Sequence, residues 1–429
     1  MKKVLFIMQS YPSARSANVL CDDMIIQRLL TTREVEIHCL CMRYHNQPLE
    51  EEIGGVHVHR FPVGPYFEFK DGALRRPGSC ADKFVRFFDR IVLRLNQVLT
   101  IPIYPCFYPF RTKKFVREAE RLYSQCSFDV IACEHYGYET MMAGFNLKKN
   151  HPEVRYLQFF WDALSGGTVS HYLPKKFMDL RRETLEKSIF ETADISVALT
   201  SHRAALSKHL YAEEALYTGR LIYLGIPNLE NVQKKAGAKD CELLNNGMKN
   251  IVFAGNTYGR NVDFFANIVK ASEDSSIRLW LITSCDLGRL EKDVQQSGSK
   301  IVKLPYMSHD ELLSVLAHAD ALLNLGNADA NAIPSKVTQY IGCCLPIIST
   351  YSCPNDTSKT LLSSYPAALF LDESRTDYLK LADELTAFLF EAPSRIPTFT
   401  EVRDAYRASD PEAYCKLFDL PPKSGDARE

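Results

Sequence analysis

The 429-residue chain carries almost no net charge (−1), no C-x-x-C pair among its thirteen cysteines, and no fixed-period repeat or low-complexity tract. Each absence excludes something. A near-neutral chain is not a whole-molecule nucleic-acid binder held by bulk charge. Cysteines without C-x-x-C or regular framework spacing argue against a structural zinc site and for a reducing compartment. Cys39/Cys41 and Cys343/Cys344 stand in apolar contexts, where a reduced cysteine behaves as a small hydrophobe. The apolar run Val4–Met8 is too short for a secretory leader and suits a first strand. No apolar stretch approaches the ~20 residues that a membrane-crossing helix needs. The expected location is cytoplasmic. Hydrophobic content of 46% and charged content of 24% are ordinary for a globular chain of two or three domains.

What is present is alternation. Strand-like segments at Val4–Met8, Val35–Cys41, Val56–Phe61, Asp129–Cys133, Val154–Phe160 and Ala193–Leu199 are interleaved with helical patterns at 18–31, Tyr138–Leu147 and Pro174–Thr192. This spacing predicts a parallel sheet covered by helices on both faces. A polar stretch over 229–250 then marks a linker edge, and a second series follows. Its strands are expected at Asn250–Gly255, Ile277–Thr283, Lys300–Leu304, Ala319–Leu325 and Ala368–Leu371. Helices are expected at Val262–Ala271, after a Ser308/Glu311 capping box, and up to about residue 390. The expected division is a first Rossmann-like domain over 1–228, a second over 229–395, and a helix and tail over 396–429. Pro421–Glu429 is expected to be a disordered polar tail.

The densest signal is Asn331-Ala-Ile-Pro-Ser-Lys-Val-Thr-Gln-Tyr-Ile341, followed by the strand-like Leu345-Pro-Ile-Ile348. Pro334 is placed like a first-turn proline, with Ser335 and Lys336 behind it. Val337, Tyr340 and Ile341 recur at helical spacing toward a core. A helix start opening off a loop is an anion site, because free N–H groups and the helix dipole point outward. Asn331 and Gln339, eight apart, would bracket a ligand there; the alternative is an ordinary buried helix–strand unit.

Taken in order, these segments resemble GT-B glycosyltransferases. The closer likeness is to family 4, the retaining, nucleotide-sugar-dependent enzymes, and especially to its members in bacterial capsule and exopolysaccharide assembly. The pieces that carry it are Lys3–Asn18, Asp129-Val-Ile-Ala-Cys-Glu-His135, Ala193–His202, Leu221–Asn228, Ile251–Arg260 and Pro305–Asn324. The likeness implies an α/β fold of two doubly wound domains facing across a cleft. It implies an acceptor site in the first domain and a nucleotide-sugar donor site in the second. His135, at a strand end, would lie close to the reacting sugar, or be a half-buried loop histidine. Glu134 and Asp162 would orient the acceptor hydroxyl or serve as structural caps. Gly255, Asn256, Arg260, Asn331, Ser335, Lys336 and Gln339 would face the donor, with Ser13 and Ser16 in the N-terminal loop. A retaining mechanism needs no protein nucleophile if the leaving diphosphate helps deprotonate the acceptor. No cofactor and no metal are expected.

The chain also departs from that pattern. Asn331 and Gln339 stand where the family carries two glutamates. Asn256 follows Gly255 where the family has an arginine, leaving Arg260 as the nearby guanidinium for phosphate oxygens. Paired glycines are missing from the N-terminal loop. Residues 74–117 contain ten Lys or Arg against only Asp82 and Asp89. Lys83, Arg86, Arg90 and Arg94 fall near one helix face, and Phe84, Phe87, Phe88, Ile91, Leu95 and Val98 make another. The segment 81–110 therefore reads as a basic interfacial helix for anionic lipid, or as a core helix with a solvated basic face. The expected activity is transfer of a sugar from a nucleotide-diphosphate sugar to a saccharide, with a lipid-linked acceptor at the inner face of the plasma membrane, in cell-surface polysaccharide synthesis. The alternatives are a non-catalytic glycosyltransferase-like binding subunit, or a nucleotide-sugar epimerase or hydrolase on the same fold. No nucleic-acid partner is expected.

Overall fold

A computed structural model describes residues 1–12, 17–44, 46–76, 78–135, 137–164, 173–236, 241–294, 300–327 and 335–423, without the side chains of Ala17 and Ser335. The chain folds into two compact units, Met1–Pro227 with Pro411–Glu429, and Asn228–Asp410.

The first unit holds an eight-stranded sheet. Its strands are β1 (Lys2–Ile7), β2 (Val35–Met42), β3 (Glu50–Ile53), β4 (Val56–Phe61), β5 (Val130–Glu134), β6 (Arg155–Phe160), β7 (Ile195–Leu199) and β8 (Leu221–Leu224), in the order β3-β4-β2-β1-β5-β6-β7-β8. All neighbours run parallel except β3, which pairs antiparallel with β4 at the edge. Val4, Leu5, Phe6 and Ile7 are all buried. A central parallel strand is covered on both faces, so it reads as a continuous apolar run rather than an alternation. The helices that matter below are α1 (Ala17–Thr32), α2 (Pro65–Leu74), α3 (Cys80–Leu99), α4 (Pro109–Cys126), α5 (Tyr138–Asn150) and α6 (Lys175–Thr192).

The second unit has six parallel strands, β9 (Lys249–Ala254), β10 (Ile277–Ile282), β11 (Ile301–Leu304), β12 (Ala321–Asn324), β13 (Ile347–Tyr351) and β14 (Ala368–Asp372), ordered β11-β10-β9-β12-β13-β14. The helix His309–Ala317 opens with the expected Ser308/Glu311 capping box. β13 begins after Pro346 rather than at Leu345, because a proline has no N–H for the ladder.

The closing residues divide between the units. Residues 396–410 belong to the second, whereas the chain from Pro411 returns to the first. There Tyr414 and Phe418 are buried, the Tyr414 hydroxyl donates to the Gly225 carbonyl (2.6 Å), and Phe418 packs on Phe6 at 5.6 Å. Pro422 bridges to Arg33, and the Lys423 N–H donates to the Thr32 carbonyl (3.0 Å), so the polar end is bound to the first unit as far as residue 423. Residues 424–429 lie outside the described part.

Candidate functional site

In an open parallel sheet, two neighbouring strands whose connections leave in opposite directions open a crevice at their carboxyl ends, and ligands bind there. In the first unit this point lies between β1 and β5, since β1 is flanked by β2 on one side and β5 on the other. Gln9 follows β1 and His135 follows β5, and both line one cavity of about 290 Å³. Its other polar walls are Arg111 from α4, Glu139 from α5 and Arg182 from α6; Tyr104, Phe107 and Tyr108 form the aromatic side.

Each group is held. The Arg111 Nε donates to Glu139 (2.6 Å), and its guanidinium lies over the Tyr108 ring at 4.0 Å. A Cβ at Gly137 would fall 2.3 Å from Gln9 Nε2 and 2.4 Å from Glu139 Oε2, so glycine there makes room for both side chains. His135 is half-buried, and its Nδ1 meets the Asp162 carbonyl at 3.0 Å. A carbonyl only accepts, so Nδ1 carries the proton and Nε2 keeps its lone pair. Burial holds the ring below the ordinary histidine pKa, against the raising pull of Asp162, so it is neutral at pH 7. His202 beside it is buried, and burial draws its pKa down to about 4.

Of the three acceptor-side candidates, the structure brings His135, Glu134 and Asp162 to the ends of β5 and β6, in different roles. His135 lines the cavity. Asp162 is exposed and contributes its carbonyl to His135. Glu134 is buried beneath the cavity and is not among its lining residues. Its Oε1 accepts the Gln9 N–H (2.7 Å), and Asp22 of α1, which accepts from Trp161 Nε1 (3.2 Å), lies close enough to act on its charge; Glu134 Oε2 and Asp22 Oδ2 are both buried without a hydrogen-bond partner among the described residues. Two carboxyls buried near each other cannot both ionise at low cost, and one proton between their bare oxygens would satisfy both. Burial raises Glu134 to about 7 and Asp22 well above its ordinary value. Ser13 and Ser16 lie outside the described residues.

In the second unit the corresponding point falls between β9 and β12. β9 ends at Ala254, and Gly255 turns the chain with φ 151°, a state that L side chains rarely adopt. At the end of β12, a Cβ on Gly326 would sit 2.8 Å from the Thr350 carbonyl, so a bare backbone is needed there too. Asn256 is spent on its own loop: Oδ1 accepts the Tyr258 N–H (2.7 Å) and the Cys285 thiol (3.2 Å). Arg260 is half-buried, with the Asp356 carboxylate acting on its charge and no ion pair within 4.0 Å among the described residues. Burial lowers its pKa, while the negative charge of Asp356 pulls the other way. The Tyr340 hydroxyl is fixed by the backbone of Ala254 at 3.0 and 3.3 Å. The helix Ser335–Gly342 that carries Tyr340 also carries Lys336 and Gln339, joined at 3.0 Å between Nζ and Oε1. Gln339 is 5% exposed, and burial lowers Lys336. Val337, Tyr340 and Ile341 are buried as their spacing predicts. Asn331 and the Ser335 side chain lie outside the described residues.

Sequence reading missed Gln9, Asp22, Arg111, Glu139 and Arg182. Their polar function depends on strands and helices far apart in the chain, so no local spacing announces them.

Two parallel-sheet Rossmann-like domains in tandem, each opening its strand ends at a switch point, are the architecture of GT-B enzymes. No family model matches the chain, and no curated protein matches it by sequence. Solved structures match it by fold. An α,α-trehalose-phosphate synthase (UDP-forming) from Burkholderia xenovorans, in complex with glucose-6-phosphate, aligns at TM-score 0.62 and 12% identity over 98% of this chain and 99% of that one. HepE from Anabaena, in complex with UDP and glucose, aligns at 0.57 and 11% over 98% of each. A putative UDP-N-acetylglucosamine 2-epimerase from Listeria monocytogenes aligns at 0.51 and 12% over 98% of this chain and 94% of that one. The chain thus shares its fold with glycosyltransferases and with an epimerase.

Proposed function

We propose that the protein is a glycosyltransferase that moves a sugar from a nucleotide-diphosphate sugar, with UDP as the first base to test, to a lipid-linked saccharide in cell-surface polysaccharide synthesis. The observation that carries the donor half is Arg260 beside a strand-end glycine at the β9/β12 switch point, free of any ion pair among the described residues. A guanidinium so placed can take diphosphate oxygens bidentately, and Lys336 supplies a second charge. The acceptor hydroxyl attacks the anomeric carbon, the bond from that carbon to the diphosphate oxygen breaks, and the hydroxyl proton passes to the leaving phosphate on the same face. Retention follows, and no metal is required; the two cations carry the developing charge.

The test is calorimetric titration with UDP, GDP, ADP and CMP. One nucleotide should bind at a single site, and Arg260→Ala should weaken it roughly 10- to 100-fold, the worth of a charge-assisted hydrogen bond. No binding by folded protein would favour the non-catalytic subunit. Nucleotide release that does not depend on acceptor would favour a hydrolase or epimerase.

The acceptor half rests on α3. Its buried side is narrow, with Asp82 and Val85, and Asp89 ties it to α2 through the Tyr66 hydroxyl (3.0 Å) and Lys70. Phe84, Phe87, Phe88, Ile91, Leu95, Val98 and Leu99 form one stripe in solvent, each between 41% and 74% exposed. A helix packed into a core would hide that stripe. Lys83, Arg86, Arg90 and Arg94 flank it, as a helix lying in an anionic membrane surface requires. No described helix is long and apolar enough to cross a membrane. The residues after α3 are only partly exposed. Ile103 and Phe110 are exposed, whereas Tyr104 and Cys106 are buried, because Tyr104 turns inward to wall the cavity beside His135. The helix and the cavity wall are thus one continuous stretch, which would bring a lipid-borne saccharide to His135. The protein should sediment with vesicles of anionic lipid and not with zwitterionic ones. The pair Phe87→Asp and Leu95→Asp should reduce that binding tenfold or more, at about 0.8 kcal/mol per buried methylene. Equal sedimentation of the variant would remove the membrane from this reading.

A further inference from the structure

At the amino-terminal side of the first sheet, away from the strand ends that build the cavity, three imidazoles and three carboxylates share one face. Alternation puts Glu36 and His38 of β2 on the face that continues as Leu40 and Met42, both in the apolar core. His57 and His59 of β4 lead likewise to the core residue Phe61. His38 lies opposite His57 in the β2–β4 register, and Glu50 and Glu52 of β3 lie opposite His59 and His57. The buried His38 meets Glu36 Oε1 through Nε2 (2.7 Å) and His59 Nε2 through Nδ1 (2.9 Å). His59 in turn meets Glu50 through Nδ1 (2.5 Å). The edge of Phe128 fixes the His38 ring from the other side, at 5.1 Å.

This chain of contacts calls for one positive centre, either a third proton or a metal ion. Glu36–His38–His59–Glu50 contains three close contacts, each needing one hydrogen, and two neutral imidazoles supply two. With Nδ1–H of His59 on Glu50 and Nδ1–H of His38 on His59, His38 Nε2 is left as a bare lone pair facing a carboxylate. One donor atom from each of Glu36, His38 and His57 lies within 4.8 Å of the others. We propose that these three residues bind a divalent transition-metal ion, with zinc as the species that two imidazoles and a carboxylate suit. The ion takes His38 Nε2 and the Glu36 carboxylate in place of the missing hydrogen. The half-exposed His57 ring turns in to close the donor spacing to the ~3.3 Å that follows from ~2.0 Å metal–ligand bonds. Glu52 or water fills the fourth position. His59 and Glu50 then form the outer hydrogen-bond relay that orients a ligating histidine. The site would clamp three strands at the edge of the sheet. Its ligands come from separate strands, so cysteine spacing gave no sign of it. Lys3, with Nζ 3.3 Å from Glu36 Oε1, competes with the ion for that carboxylate, and Arg121 lies toward His59.

The experiment is titration of the metal-stripped, untagged chain with Zn²⁺ against a chromophoric chelator, alongside Co²⁺ absorption. One equivalent should bind, with the visible bands of a four-coordinate ion. His57→Ala, at a half-exposed position that should fold, should abolish the competition. His59→Ala should weaken binding roughly 10- to 100-fold. Lys3→Met should tighten it, and none of the three should change nucleotide affinity. Absence of stoichiometric binding, or binding that survives both His57→Ala and Glu36→Gln, would overturn the site.

Discussion

Replacing His135 by alanine should lower the rate of transfer on the order of 10²-fold, the cost of misplacing the acceptor hydroxyl, while leaving nucleotide affinity unchanged. The expectation follows from the tautomer. The Asp162 carbonyl fixes Nδ1 as the donor, so Nε2 is left as an acceptor, and partial burial keeps the ring uncharged near pH 7. A neutral Nε2 can take a hydrogen bond from a sugar hydroxyl, but it cannot stabilise diphosphate charge, which is the task assigned to Arg260. The two substitutions should therefore separate: Arg260→Ala shows in nucleotide titration, and His135→Ala shows in kcat. The assay is acceptor-dependent nucleotide release at saturating donor, read beside calorimetry of the same preparation. Equal rates for the variant and the parent would remove His135 from the chemistry. A loss of nucleotide affinity in His135→Ala would instead mean that its effect is on folding or on the donor site.

The strands of both sheets are legible in the sequence because central parallel strands must be apolar throughout. Val4–Ile7 and Ile251–Phe253 need no context to be read. β3 escapes for the opposite reason: Glu-Glu-Glu-Ile looks like a loop, yet a charged edge strand is what protects a sheet from pairing with other chains. α4 is hidden in the same way. Its buried residues Phe115, Ala119, Leu122 and Tyr123 recur at helical spacing, but Arg117, Glu118, Glu120 and Arg121 crowd the positions between them. Gly255 and His135 are local signals, and the structure sets the first at a strand end and the second in the cavity wall. Arg111, Arg182 and Asp22 are not local signals, since only the folding of α4, α6 and α1 onto one sheet gives them their roles. Glu134 shows the limit of a motif most plainly. Its position at the end of β5 suggests a solvent-facing acid, and only the structure reveals that α1 covers it with a second acid.

That pair carries the other large expectation. Glu134 is raised to about 7 in the folded protein by burial, from an ordinary value of 4.5, and Asp22 rises with it. A folded state that holds a proton the unfolded chain releases is favoured at low pH. This contribution to stability is fully present below pH 4.5 and is lost as pH rises through about 7. A shift of this size is worth on the order of 3 kcal/mol. Glu134→Gln replaces the shared proton with a permanent N–H toward Asp22 and keeps a carbonyl for the Gln9 N–H, so the variant should lose this part of the pH dependence and outlast the parent at pH 8. Denaturant unfolding of both proteins at pH 5 and pH 8 measures it, and the difference between them cancels every other titrating group. Identical slopes would mean that the two carboxyls do not share a proton. Since Glu134 Oε1 holds the Gln9 N–H, and Gln9 lines the cavity, ionising the pair would also loosen the β1 side of that cavity. Acceptor binding should then weaken above pH 7 in the parent and not in Glu134→Gln, which places the pair beneath the chemistry as its support and leaves the proton transfer to the substrate's own phosphate.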